Sequence, residues 1–247
     1  MTPGSDSSKA SGQRFAATRW SLVAAAGVPD AGAARRALVE LCHRYWYPVY
    51  AYVRGCGHGP EVAQDIARGF FEHLLGVRPA LADAQARGRF REYLLDRLHR
   101  FLGSDWRQAS EGPPVADLAQ PMTTAELETR YRRDLAVGMT PEQTYQRSYA
   151  LEVLASALGR LRREADQAGR LAMFEALQPW LSAEPAPGEI DATARRLEIR
   201  PLAAVIALRR LRQRFRELAE SELSESVSSA ADLEQERQAL ARALDRG

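Results

Sequence analysis

The stretch Gly88 to Arg107, GRFREYLLDRLHRFLGSDWR, interleaves apolar and basic residues on what reads as a single helix. Phe90, Leu94, Leu98, Phe101 and Leu102 recur at three-to-four spacing and predict a buried stripe, which leaves Arg89, Arg91, Arg97, Arg100 and Arg107 to face outward. One surface of such a helix anchors it in a core. The other offers guanidinium groups to phosphates, with Tyr93 and Trp106 at its margins as flat rings on which unpaired bases stack. An ordinary amphipathic helix with a solvated charged face carries the same pattern, so the flanking sequence has to separate the two readings.

Upstream, Pro60 stands at the first position of a helix, PEVAQDIARGFFEHLLG, with Glu61 near the positive end of its dipole and Ala63, Ile66, Phe70 and Leu74 pointing inward. Before it, Ala31 to Arg54 keeps helical spacing through Leu38, Leu41, Tyr45, Val49 and Tyr52, and Gly55, Gly57 and Gly59 close it. Thr18 is placed to cap a short helix, RWSLVAAA, and residues 1–13 are small and polar and read as disordered. Downstream, Gly112, Pro113, Pro114, Pro121 and Gly138 break up a segment with at most one helical run, about Thr124 to Ala136. Helical patterns resume over Pro141–Gln167, about Gly169–Ala183, Glu189–Glu198, Leu202–Leu218 and about Ala230–Leu244. No strand pattern of useful length occurs. The expected fold is therefore all-α: a helical domain over 14–108, a flexible linker over 109–140, a second helical domain over 141–224 and a C-terminal helical extension over 225–247.

Composition narrows the function classes. The 247 residues are 45% hydrophobic, enough for a core, and carry a formal net charge of +2. Lys9 is the only lysine among 34 basic residues, and arginine supplies planar, multiply donating groups for phosphates and base edges. Cys42 and Cys56 are too few for a disulfide scaffold and fit a reducing cytoplasm, and Cys42 and His43, adjacent on a helix, point to different faces and suit a zinc site poorly. The N-terminus lacks an apolar signal region and no run of 18 apolar residues exists, so a cytoplasmic protein with no membrane partner is expected. No P-loop, Rossmann fingerprint, HExxH or GxSxG motif is present, which predicts a non-enzymatic chain without metal or cofactor.

Glu189–Glu198 and Leu202–Leu218, joined at Ile199, Arg200 and Pro201, have the layout of a helix-turn-helix, with Ile190, Ala194, Leu197, Ile199, Val205 and Leu208 as its small core. On the second helix, Arg209, Arg212 and Arg216 fall within about a 60° arc at about 100° per residue, the basic ridge that major-groove docking needs. A plain helical hairpin whose arginines pair with Glu217, Glu220 and Glu222 fits the same residues.

RFAATRWSLVAAAG, ELCHRYWYPVYAYVRGCGHGPEVAQDIARGFFEHLL and GRFREYLLDRLHRFL, followed by the helix-turn-helix, resemble the extracytoplasmic-function sigma factors of bacteria, in the subgroup with TRWSLV-type and YWYPVYAYVR-type motifs, over roughly Arg14 to Leu223. The resemblance implies a sigma factor that binds core RNA polymerase and directs promoter recognition and DNA melting. It assigns polymerase docking to the helix from Pro60 (Glu61, Gln64, Asp65, Arg68) and promoter opening to Arg89, Arg91, Tyr93, Arg97, Arg100, Trp106 and Arg107. Distal-element reading falls to Arg200, Arg209, Arg210, Arg212 and Arg216.

The chain departs from that family's pattern in three places. The docking helix lacks the usual acidic cluster of the DAED kind, and Ala67 stands where a threonine, phosphorylated in some relatives by a partner Ser/Thr kinase, is often found. Conditional docking, controlled through Thr18, Ser21 or an anti-sigma regulator, is the resulting expectation. The recognition run reads LAAVIALRRLR where relatives have a GAVKVAVHRLR-like run, with Leu202 for glycine and Val205 for lysine; the loss of a cation there predicts low distal-element affinity and a degenerate or unusual promoter sequence. Glu198 occupies the turn position usual for glycine, which implies a left-handed residue or a reshaped turn. The competing readings are a stand-alone helix-turn-helix regulator and a polymerase-binding decoy.

Overall fold

The computed structural model describes residues 31–76, 89–104, 122–134, 138–227 and 229–245. Their regular structure is all helical apart from one antiparallel bridge between Arg89 and Val227. The elements are α1 (Ala31–Gly55), α2 (Pro60–Gly76), α3 (Phe90–Gly103), α4 (Thr124–Asp134), α5 (Pro141–Gln167), α6 (Leu171–Leu177), a 3-10 turn (Gln178–Trp180), α7 (Glu189–Arg196), α8 (Pro201–Ser224) and α9 (Ala230–Leu244). Thr18, Ser21, Trp106 and Arg107 lie outside the described residues, as do the RWSLVAAA helix and the segment 1–13.

Helix bounds follow local chemistry. Pro60 and Pro141 open α2 and α5 at positions where the missing amide costs nothing. At α5 the Thr140 hydroxyl accepts from the Gln143 amide at 3.2 Å and the Gln143 side chain accepts from the Thr140 amide at 2.9 Å, a reciprocal cap. The helix expected over Gly169–Ala183 is cut at Leu177 and tightens into the 3-10 turn, because Pro179 cannot donate within a continuing α-helix. Of the stretch Gly88–Arg107, the described residues form a helix over Phe90–Gly103 that ends at Ser104, whose backbone is extended, while residues 88 and 105–107 lie outside the described residues.

One aromatic core organises the molecule. Tyr45, Trp46, Val49 and Tyr50 of α1, Ile66, Phe70 and Phe71 of α2, and Phe90, Leu94 and Leu98 of α3 are buried together. Tyr145, Tyr149 and Val153 of α5 and Leu223 of α8 belong to the same cluster. Tyr45 stacks on Tyr149 at 4.9 Å between centroids and meets Phe90 edge-on at the same distance. Gly55 lets α5 approach: a Cβ there would lie 3.1 Å from the Pro141 Cα. A smaller cluster holds Ala157, Leu161 and Ala165 of α5 with Phe174 and Leu218. Helix α5 therefore serves both clusters, its first half in one and its second half in the other. The sequence placed a domain boundary before Pro141, yet the aromatic core continues across it.

Within the segment read as a linker, the single helical run expected near Thr124–Ala136 is present as α4, and it is docked. Leu127 is fully buried, and Glu128 accepts from Arg54 through two contacts of 2.9 Å and from the Tyr50 hydroxyl at 2.9 Å. The Arg54 hydrogen bonds hold the Glu128 carboxyl at a pKa of about 2, well below the usual carboxylate range. Residues 122–134 are thus part of the folded body rather than a floppy tether. None of the described helices is long and apolar enough to cross a membrane.

Candidate nucleic-acid interface

Two surfaces were expected to meet nucleic acid, and the structure treats them differently. On α3 the apolar stripe is as the spacing suggested: Phe90, Leu94, Leu98 and Phe101 are buried and Leu102 is half-buried. Arg100 is exposed and Arg97 half-exposed. Arg91 and Tyr93 are not at the surface, retaining 4% and 3% exposure. Arg91 forms a two-point pair with Glu236 of α9, at 2.7 and 2.8 Å. Burial works against the guanidinium charge, and the hydrogen bonds and charge of Glu236 more than offset it, raising the Arg91 pKa. The physical reason is positional: Arg91 precedes Leu98 by seven residues, two helical turns, and so rides the edge of the buried stripe rather than the opposite face. Arg89 is 19% exposed at its side chain and pairs with Glu92 at 2.5 Å.

The covering element is the C-terminal arm. The Phe90 amide donates to the Ser226 carbonyl at 2.9 Å, the Tyr149 and Ser226 hydroxyls lie 3.1 Å apart, and Leu233 and Leu240 pack on the aromatic core. The sequence left the extension from Ala230 unassigned; it closes over α3 and α5. At the end of α8, Glu222 is 3% exposed and gathers Arg44 at 2.8 Å, Arg160 at 2.8 Å and Ser156 at 3.1 Å. Burial opposes its charge, but hydrogen bonds from Arg160 and Ser156 and the charge of Arg44 hold its pKa below the ordinary carboxylate value.

On α2, the face assigned to polymerase docking is mixed. Glu61, Asp65 and Arg68 are exposed, with Arg68 and Asp65 paired at 2.5 Å. Gln64 is 6% exposed and is not part of an open face: it donates to the Met122 carbonyl at 3.4 Å and accepts from the Thr124 hydroxyl, because the start of α4 lies across it. Ala67 is fully buried, so this position has no access to a modifying enzyme in this packing. Val62 is exposed on the same helix.

The helix-turn-helix is formed by α7 and α8. Glu198 in its turn has a φ of +55°, the left-handed residue implied by its place in the sequence. The Ile199 amide donates to the Ala194 carbonyl at 3.0 Å and the Glu198 amide to the Arg195 carbonyl at 3.2 Å, the paired bonds of a Schellman cap. Ala194, Ala204 and Leu208 are buried at the crossing, with Ile190, Leu197 and Ile199 half-buried. Val205, expected in this small core, is instead 49% exposed, since the helix buries Ala204 and Leu208 and turns Val205 past the contact.

Of the arginines assigned to distal-element reading, Arg200, Arg209, Arg210 and Arg216 are exposed and make no ion pair within the described residues. Arg212 is committed elsewhere: it donates to the carbonyls of Trp180 at 2.9 Å and Ala183 at 2.7 Å and to Glu184 at 2.8 Å, tying α8 to the loop after the 3-10 turn. It is therefore a positioning residue in this arrangement. Arg214, which sequence reading passed over, bridges Glu164 at 2.8 Å and Glu217 at 3.0 Å.

No family model, curated protein or solved structure matches this chain. Among the described residues no group of three or more His, Cys, Asp or Glu side chains could hold a metal ion. Cys42 is buried, and its thiol pKa is raised by burial, while Cys56 is exposed beyond the end of α1.

Proposed function

We propose that this chain is a sigma-type initiation factor that binds core RNA polymerase and directs promoter recognition and DNA melting, with conditional polymerase docking. The observation that carries the reading is the second helix of the α7–α8 unit, which presents Arg209, Arg210 and Arg216, with Arg200 at its start, exposed and without an ion pair among the described residues. Free guanidinium groups on an open helix are what a polyanionic groove attracts. The motif resemblance over roughly Arg14 to Leu223 supports the same reading. Promoter opening rests with Arg97, Arg100 and the residues that follow α3, whereas Arg91 and Tyr93 stay in the fold while α9 is in place. Docking rests on Glu61, Asp65 and Arg68 without Gln64, so the contact is weak in acids and needs a further input, from a kinase acting outside α2 or from an anti-sigma regulator.

Reconstituted run-off transcription tests the reading: core polymerase, the full chain and sheared bacterial DNA should give discrete initiation sites that disappear when the chain is left out. Association without any discrete transcript points to a decoy. The stand-alone regulator is favoured by one observation, the covering of Gln64, Arg91 and Tyr93, and tight binding to a duplex operator with no association with core polymerase would replace the sigma reading by it.

A further inference from the structure

The open face of α8 is not uniformly basic. Leu202, Val205 and Ile206 are 69%, 49% and 42% exposed, three of the four exposed large hydrophobics among the described residues. At 100° per residue these three share an arc of about 100° with Arg209, Gln213 and Arg216. Along the axis the order is fixed: an apolar patch over the first two turns, then Arg209, Gln213 and Arg216. From Leu202 to Gln213 the helix rises about 17 Å, the length of roughly five base pairs.

We infer that Val205 and Ile206, with Leu202 beside them, are specificity-determining residues that read thymine C5-methyl groups in the major groove, next to a purine contacted by Arg209 or Gln213. This deepens the proposed function and rests on the DNA-reading role of the second unit. The major groove is where the thymine methyl is displayed, and apolar side chains are the groups that distinguish it. Placement on the early turns of the second helix of a helix-turn-helix is where base edges are met. The surroundings select DNA over a protein partner. Arg200, Arg209, Arg210 and Arg216 lie around the patch, exposed and without an ion pair among the described residues, a charge pattern suited to flanking phosphates. Three partly exposed side chains are also far short of the roughly 800 Å² that each side of a stable protein interface buries. A lysine at 205, the residue type that related runs carry, would add a phosphate or guanine contact; valine substitutes an apolar one.

The test uses the full-length chain, alone and with core polymerase, against a duplex pool with a randomised stretch, synthesised once with thymine and once with deoxyuridine, which lacks only the C5-methyl. Wild-type protein should enrich sequences with thymines beside a guanine or adenine. The enriched duplex remade with deoxyuridine should bind roughly three- to fivefold more weakly per methyl lost, the worth of one buried CH2-sized group. Val205→Ala with Ile206→Ala should bind both forms equally, at the lower affinity, with an unchanged melting temperature, since both side chains are exposed. Arg209→Ala should weaken both forms and keep the difference between them. Equal binding of the two forms by wild type, or undiminished methyl dependence in the double variant, overturns the inference while leaving DNA reading intact. No enrichment from either pool in either condition removes the DNA-reading role and this inference with it.

Discussion

At the turn between α7 and α8, Glu198 holds a φ of +55° that costs an L side chain about 1 kcal/mol or more, whereas the same cap at the end of α5 is made by Gly169 at φ +65°. Glu198 is exposed, so Glu198→Gly loses no packing and should raise stability by about 1 kcal/mol, a rise of about 2–4 °C in the melting temperature for a chain of this size; thermal denaturation followed by circular dichroism checks it. Arg91 makes the opposite case, a charge that is buried because its partner is present. Glu236→Ala leaves that guanidinium without its carboxylate and should cost about 3–5 kcal/mol, while Arg214→Ala, which removes a pair exposed on both sides, should cost less than about 1 kcal/mol. Chemical denaturation of the two variants compares them, and similar losses would mean that Glu236 is not compensating a buried charge. Arg91 also marks where residue-scale reading stops. Its seven-residue spacing to Leu98 is visible locally, but the partner that makes burial tolerable is 145 positions away, and nothing near Arg91 announces it.

Among the elements, the extents of α2, α5 and α9 were legible because proline, a cap or an unbroken periodicity marks each end, and α6 was misread because Pro179 sits inside an otherwise helical pattern. What α4 packs against was not legible, since its run is mostly polar and, apart from the buried Leu127, it is held by polar pairs whose partners are distant in the sequence. Glu128 ties α4 to α1 through Arg54 and Tyr50, and its folded pKa of about 2 lies below an unfolded value of about 4.3. A depressed carboxylate favours the folded state when ionised, so its stabilisation is complete above the unfolded value and is lost as pH falls from about 4.3 towards 2, an amount of at most about 3 kcal/mol. Stability measured across that window should slope downward in the wild type and much less steeply in Glu128→Gln. Helix α9 is the second element whose role lies in what it covers. A chain ending at residue 228 should lose protection of the α3 amides in hydrogen exchange, with Tyr93 and Arg91 opened to solvent; unchanged protection would show that α3 is held without it.

Over the whole molecule, the aromatic core and the smaller cluster share α5, so they should not melt apart. Trp46 is buried in the first and Trp180 stands beside α8 near the second, and denaturation followed in variants that keep Trp46 or Trp180 as the sole one of the four tryptophans should give coincident transitions. Two separated transitions would restore the independent halves that the Gly- and Pro-rich segment before Pro141 suggested, a boundary drawn from composition that could not register Tyr145, Tyr149 and Val153 entering the earlier core. The 27 residues of α5 also span about 40 Å as a single rod. A flexible strap would let the surfaces at its two ends drift apart. A rod built into both cores behaves as a calliper, and if the chain reads a promoter as proposed, the number of base pairs admitted between two elements would be set in the chain itself, by the pitch of one helix.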